Sequence, residues 1–216
     1  MRQAVFGAGL QKHLNYANHG GGGHHKGQLS EYLSDKGRCS YGACKNDVQR
    51  TVRRGKERCG RGGLPPVYTY AAETAIQLTL TELNEKLREI YIEAYTLPDT
   101  SEYIYLQTTA ELAQIFGDAF PDYAASDFYE MEIGTAGLMR SYMARKCDIH
   151  FPLEHKLKRF LTAAMRVYKV SEEEQEKVLA FVAGLDIKRI ATEVMHRMFA
   201  MLEMQFDFRL SSDGAE

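Results

Sequence analysis

The chain has 216 residues, 27 Lys and Arg against 29 Asp and Glu, and 44% hydrophobic residues. That length can bury a core without disulfides or structural metals, and no stretch approaches the roughly 20 consecutive apolar residues of a membrane span. Gln11, Lys12 and His13 end the first apolar run too early for a signal peptide. Cys39, Cys44, Cys59 and Cys147 show no paired framework, so a reducing, cytoplasmic setting without membrane association is expected.

The net charge of −2 hides a division. Residues 1–66 carry 12 Lys/Arg against 4 Asp/Glu, a balance of +8, whereas residues 67–216 carry 15 against 25, a balance of −10. Thirteen of the 18 glycines lie in the first part and eight of the nine methionines in the second, with Leu64-Pro65-Pro66 at the boundary.

Residues 1–66 read as an irregular, basic segment without amphipathic periodicity. Asn18-His19-Gly20-Gly21-Gly22-Gly23-His24-His25-Lys26-Gly27 offers metal ligands and a glycine-lysine pair. A phosphate loop needs Gly-x4-Gly-Lys-Ser/Thr after a strand, which Lys26-Gly27 does not supply. Cys39 and Cys44, with His19, His24, His25 or Cys59, could complete four zinc ligands, but no second close pair organises them. Arg50, Arg53, Arg54, Lys56, Arg58 and Arg61 form a run suited to nucleic-acid phosphates or to a solvated basic tail. Rich in Gly, Arg, Cys and His and abruptly joined to a regular chain, the segment has the texture of a disordered stretch or of a translated wrong frame.

Residues 67–216 predict an all-α, six-helix antiparallel bundle. From Ala71 to Tyr95 the stripe Ile76, Leu80, Leu83, Leu87, Ile90 and Ala94 predicts one helix, closed by Pro98. Asp99, Thr100 or Ser101 caps the next, with Leu106, Ala110, Ala113 and Phe116 inward and Gly117 as its stop. A third helix runs from Pro121 to about Arg145, its inner face Phe128, Met131, Thr135, Leu138 and Tyr142. Gly134 and Gly137 within it predict a bend or a close approach by a neighbour. Pro152 opens a fourth, burying Leu157, Phe160, Leu161, Ala164 and Tyr168. Ser171-Glu172-Glu173-Glu174 is a capping-box pattern before a fifth, and Asp186 caps a sixth.

The stretches 81–106, 127–161 and 185–203 give this part a likeness in helix order and texture. It resembles the C-terminal domain of TetR-family transcriptional regulators over roughly residues 70–208. The resemblance implies a helical domain that encloses a small-molecule pocket and dimerises through its last two long helices. It implies no catalytic activity and no cofactor or metal. Family members begin with a helix-turn-helix unit of about 50 residues, of which Tyr32 and Lys36 are only a faint echo. Residues 1–66 would then replace a DNA-binding unit through a frameshift or misplaced start, and DNA is a partner only if a working unit exists.

Tyr105, Phe128, Met131, Glu132, Met139, Tyr142 and Phe160 are the candidate lining of a site for a small apolar or amphipathic effector: a mostly apolar wall with a few polar groups. Ordinary core packing is the alternative reading of the same residues. Val178, Phe181 and Leu185 with Val194, Met198 and Met201 on the last helix are candidates for a homodimer seam, methionine adapting well to irregular surfaces. His150, His155, Glu154 and Cys147 straddle a helix start and read as surface or capping residues. A rival functional reading is a helical metal-binding or interaction protein that uses the N-terminal Cys/His segment.

Overall fold

The computed structural model describes residues 64–212, with side chains described through Ala200 apart from Met198. The zinc, phosphate and basic-tail readings of residues 1–63 lie outside the described residues. Seven α-helices and one 3-10 turn make up the described part, with no strand among its residues. The expected all-α class is observed, with one helix more than the six expected.

Helix α1, Pro66–Leu83, is the axis of the fold and packs against every other helix. Pro66 opens it, because a proline at the first helical position lacks an N–H that would have no partner there anyway. Ten of its residues are buried, including Glu73 and three threonines. Thr74, Thr79 and Thr81 donate their hydroxyls to the carbonyls of Tyr70, Ala75 and Leu78 at 2.9, 2.7 and 2.8 Å, which is how a polar-rich helix tolerates the centre.

The single helix expected over Ala71–Tyr95 is broken at Asn84. Its backbone is extended (φ −144°, ψ 120°) and its side chain accepts from the Leu87 amide at 3.0 Å, capping α2, Glu85–Ala94. An asparagine that can satisfy an orphan donor outweighs the continuous apolar stripe. Leu83, placed on that stripe by periodicity, is 39% exposed.

Pro98 opens α3, Pro98–Phe116, rather than merely closing the helix before it. Its inner face is Thr100, Ser101, Thr109, Leu112 and Phe116, so Ala110 is exposed. Threonines that bond their own backbone, as Thr109 does to the Tyr105 carbonyl at 2.7 Å, can occupy a buried face that hydrophobicity alone assigns elsewhere. A 3-10 turn, Gly117–Ala119, leads to buried Phe120.

Helix α4, Ala125–Ala144, begins where the Asp127 carboxylate accepts from the Ala124 amide at 2.6 Å. A Cβ at Gly134 or Gly137 would meet nothing within 4 Å, so the expected close approach is absent and both glycines face outward. Helix α5, Leu153–Val167, buries Leu157, Phe160, Leu161 and Ala164, with Tyr168 just beyond. Lys169 then takes a left-handed conformation (φ 52°) as the Val170 amide donates back to Met165, closing the helix. Ser171 caps α6, Glu172–Ala183, by accepting from the Glu174 amide, and Asp186 accepts from the Arg189 amide at the start of α7, Ile187–Ser212. Both caps fall where the sequence placed them.

Three apolar clusters result. The largest joins Ala71, Ala75 and Leu78 of α1 to Met139 and Met143, to Leu157, Phe160, Leu161, Ala164 and Met165, and to Val178 and Val182. A second holds Ile76, Leu80 and Leu87 against Ile190, Ala191 and Val194. The third is mostly aromatic: Leu112, Phe116, Phe120, Phe128 and Tyr168.

Candidate functional site

Where α4 passes α1 and the end of α5, a carboxyl group is enclosed among aromatic rings. Glu132 is 6% exposed, and its Oε2 accepts from the Thr135 hydroxyl at 2.8 Å. That hydroxyl also meets the Tyr168 hydroxyl at 2.8 Å, so carboxyl, threonine and tyrosine form one chain. One helical turn separates Glu132 from Thr135, which puts them side by side on the inner face of α4. Tyr168 stacks on Phe116 with centroids 4.3 Å apart, and Tyr70 presents an edge to both, at 5.4 Å from Phe116 and 6.0 Å from Tyr168.

Burial pushes the Glu132 carboxyl up to about 7, against the hydrogen bonds from Thr135 and Tyr168 that favour its ionised form. No Lys, Arg or His forms an ion pair with this carboxyl among the described residues. Burial, and then the charge of Glu132, raise the phenols of Tyr95 and Tyr168; burial and the neighbouring Tyr168 raise Tyr70, with Glu132 adding to them. The Tyr70 and Tyr95 hydroxyls lie deep in the bundle, yet each residue retains accessible surface. On the α3 side, Tyr129 donates to Glu102 at 2.7 Å, and burial followed by this hydrogen bond raises its phenol to about 12.

The seven expected lining residues are distributed along α4 and its neighbours. Glu132 is at the polar centre, with Phe128 and Met131 beside it in the aromatic cluster. Met139, Tyr142 and Phe160 belong to the largest cluster, Tyr142 meeting Phe160 edge-on at 5.8 Å. Tyr105 packs against Tyr129 at 6.2 Å. Sequence reasoning missed Tyr70 and Tyr95 as companions of Glu132, because one precedes and the other ends the helix it drew. The signal present was an unusual density of tyrosine flanking Ala71–Ala94.

Of the expected seam, Val178 and Val194 are fully enclosed and serve the chain's own clusters. Phe181 and Leu185 are half-buried, Phe181 meeting Tyr68 at 5.3 Å. The side chains of Met198 and Met201 lie outside the described residues.

A second polar centre ties α1 to α5. Lys156 is completely buried and donates to Glu82 at 2.5 Å and to the Arg145 carbonyl. The same Glu82 accepts from the Cys147 amide at 3.1 Å and faces Arg88 at 3.6 Å. Burial would raise the Glu82 carboxyl, but Lys156, the Cys147 amide and Arg88 together hold it below the usual range. Burial raises the Cys147 thiol, opposed by Lys156. The bonds from Lys156 and the Cys147 amide to Glu82 hold the α4–α5 connection against α1, a structural duty. His150 and His155 are exposed, and no group of three or more potential metal ligands occurs among the described residues.

Comparison with protein-family models, with curated proteins and with solved structures found no match. No helix among the described residues is long and apolar enough to cross a membrane.

Proposed function

We propose that the helical part of this chain is a small-molecule-sensing, homodimeric regulatory domain of the TetR kind, in keeping with its resemblance in helix order. The observation that carries the reading is Glu132: an acid kept in an aromatic interior, joined only to Thr135 and Tyr168, beside tyrosines that are deep yet accessible. Leaving an acid in such a place costs folding energy, whereas an apolar residue of similar size would not. A recess with aromatic walls and a few convergent polar groups is the usual form of a small-ligand site. The effector would act by favouring one packing of α4 against α1 and α5, the helices whose side chains meet at this point. Repression of transcription additionally requires a DNA-binding unit.

The test is titration with Nile red, an uncharged apolar dye. It should bind saturably at about one per chain and be weakened by Tyr95→Trp, which enlarges a ring that feels the Glu132 charge, with the helical signal unchanged. A folded chain that takes up no dye saturably would overturn the reading.

A further inference from the structure

The chemical class of the effector follows from what surrounds Glu132, and this inference rests on the sensing role proposed above. The Glu132 carboxyl is buried and bonded to the Thr135 hydroxyl, and the titratable groups shown to act on it or feel it are tyrosines: Tyr70 from α1, Tyr95 after α2 and Tyr168 after α5. A buried carboxylate normally has a Lys or Arg opposite it, as Glu82 has Lys156 in this same chain. Glu132 has a threonine hydroxyl instead. One polar centre of the fold is therefore electrically complete and the other is not.

Phenol oxygens can accept from a cation, and the faces of aromatic rings attract one. Residues 67–216, with 15 basic against 25 acidic side chains, further favour the approach of positive charge. An anionic effector would face Glu132 without any compensating cation. A neutral one would leave the carboxyl as it stands.

We infer that the effector is an amphipathic monocation, an ammonium or amidinium group on an apolar body, whose charge is set against the Glu132 carboxyl among Tyr70, Tyr95 and Tyr168. The cation supplies the counter-ion that the fold omits, and its apolar body takes the aromatic wall that includes Phe116. Ligand charge thereby becomes the specificity element of the site.

The experiment compares three probes of one skeleton by calorimetry at pH 8: 4-phenylbutylammonium, 4-phenylbutanol and 4-phenylbutyrate. The ammonium should bind the parent at least about tenfold more tightly than the alcohol, and the butyrate most weakly, because only the first neutralises a desolvated carboxylate. Glu132→Gln, which keeps an acceptor for Thr135, should bring ammonium and alcohol to the same affinity. Equal binding of ammonium and alcohol by the parent would overturn the cation assignment while leaving a sensing site standing, and this comparison needs no variant. Survival of the preference in Glu132→Gln would place the cation elsewhere and equally overturn it. Failure of all three probes together with Nile red would instead remove the sensing role.

Discussion

At Glu132 the cost of holding a carboxyl in an apolar interior can be read as a dependence of stability on pH. The folded group titrates near 7 and an ordinary glutamate near 4.5. Below both values the folded and unfolded chains carry the same proton, and the site adds no penalty. Between them the unfolded chain releases a proton that the folded chain keeps, so stability falls as pH rises through this window and levels off above about 7. The full penalty is on the order of 3 kcal/mol. Glu132→Gln should remove this decline, so that its urea midpoint exceeds the parent's at pH 8 by more than at pH 5; parallel pH profiles for the two proteins would refute the assignment. Lys156 shows the opposite case, a buried charge fully matched by Glu82. Lys156→Met leaves Glu82 facing only Arg88 and the Cys147 amide, and is expected to cost about 3 kcal/mol. Adding Glu82→Gln should recover part of that loss, and a double variant no more stable than the single would show that the pair is not the cause.

Among the elements, α4 carries the polar centre on one face and two glycines on the other. With nothing within 4 Å of a Cβ at Gly134 or Gly137, alanine at either position should stabilise the fold by about 0.5–1 kcal/mol, read as a rise in thermal midpoint. A loss of stability would reveal a neighbour packed on that face. Helix existence was legible in the sequence wherever a cap and a stripe agreed, as at Ser171 before Val178 and Val182, and at Asp186 before Ile190 and Val194. It failed where they disagreed. Asn84 interrupts an unbroken apolar stripe because capping is a local hydrogen-bond decision that a stripe does not register. The inner face of α3 was misread because Thr100, Ser101 and Thr109 are hidden polar residues. Glu132 could be named from its position in an aromatic helix. Its link to Tyr168 could not, since Tyr168 lies 33 residues beyond Thr135 and the contact exists only once α4 and α5 have packed.

For the whole molecule, the question is what α7 does beyond the clusters it helps to build. Among its side chains described, which run to Ala200, the buried ones are Ile190, Ala191 and Val194, while the helix continues to Ser212 over 26 residues, roughly 39 Å. Phe199, on a different face from these, is 38% exposed. In the sequence Met195, Phe199, Leu202 and Phe206 recur at steps of four and three, the repeat of a helical stripe. A monomer gains nothing from a second apolar stripe on a helix whose first is already covered, whereas two copies related by a two-fold axis would cover each other's. Because Val178 and Val194 are spent inside the chain, and Leu185 and Met195 pack in part against its second cluster, the proposed seam would centre on exposed Phe199 rather than on the full set expected from sequence. Each large apolar side chain so covered contributes roughly 1.5–3 kcal/mol, and several per subunit offset the entropy of association. The full chain should therefore sediment as a dimer at tens of micromolar. Phe199→Glu, which sets two carboxylates against an apolar surface, should yield a monomer of unchanged helicity. A monomeric parent at that concentration would refute the seam, and a dimeric Phe199→Glu would move it to another face of the bundle.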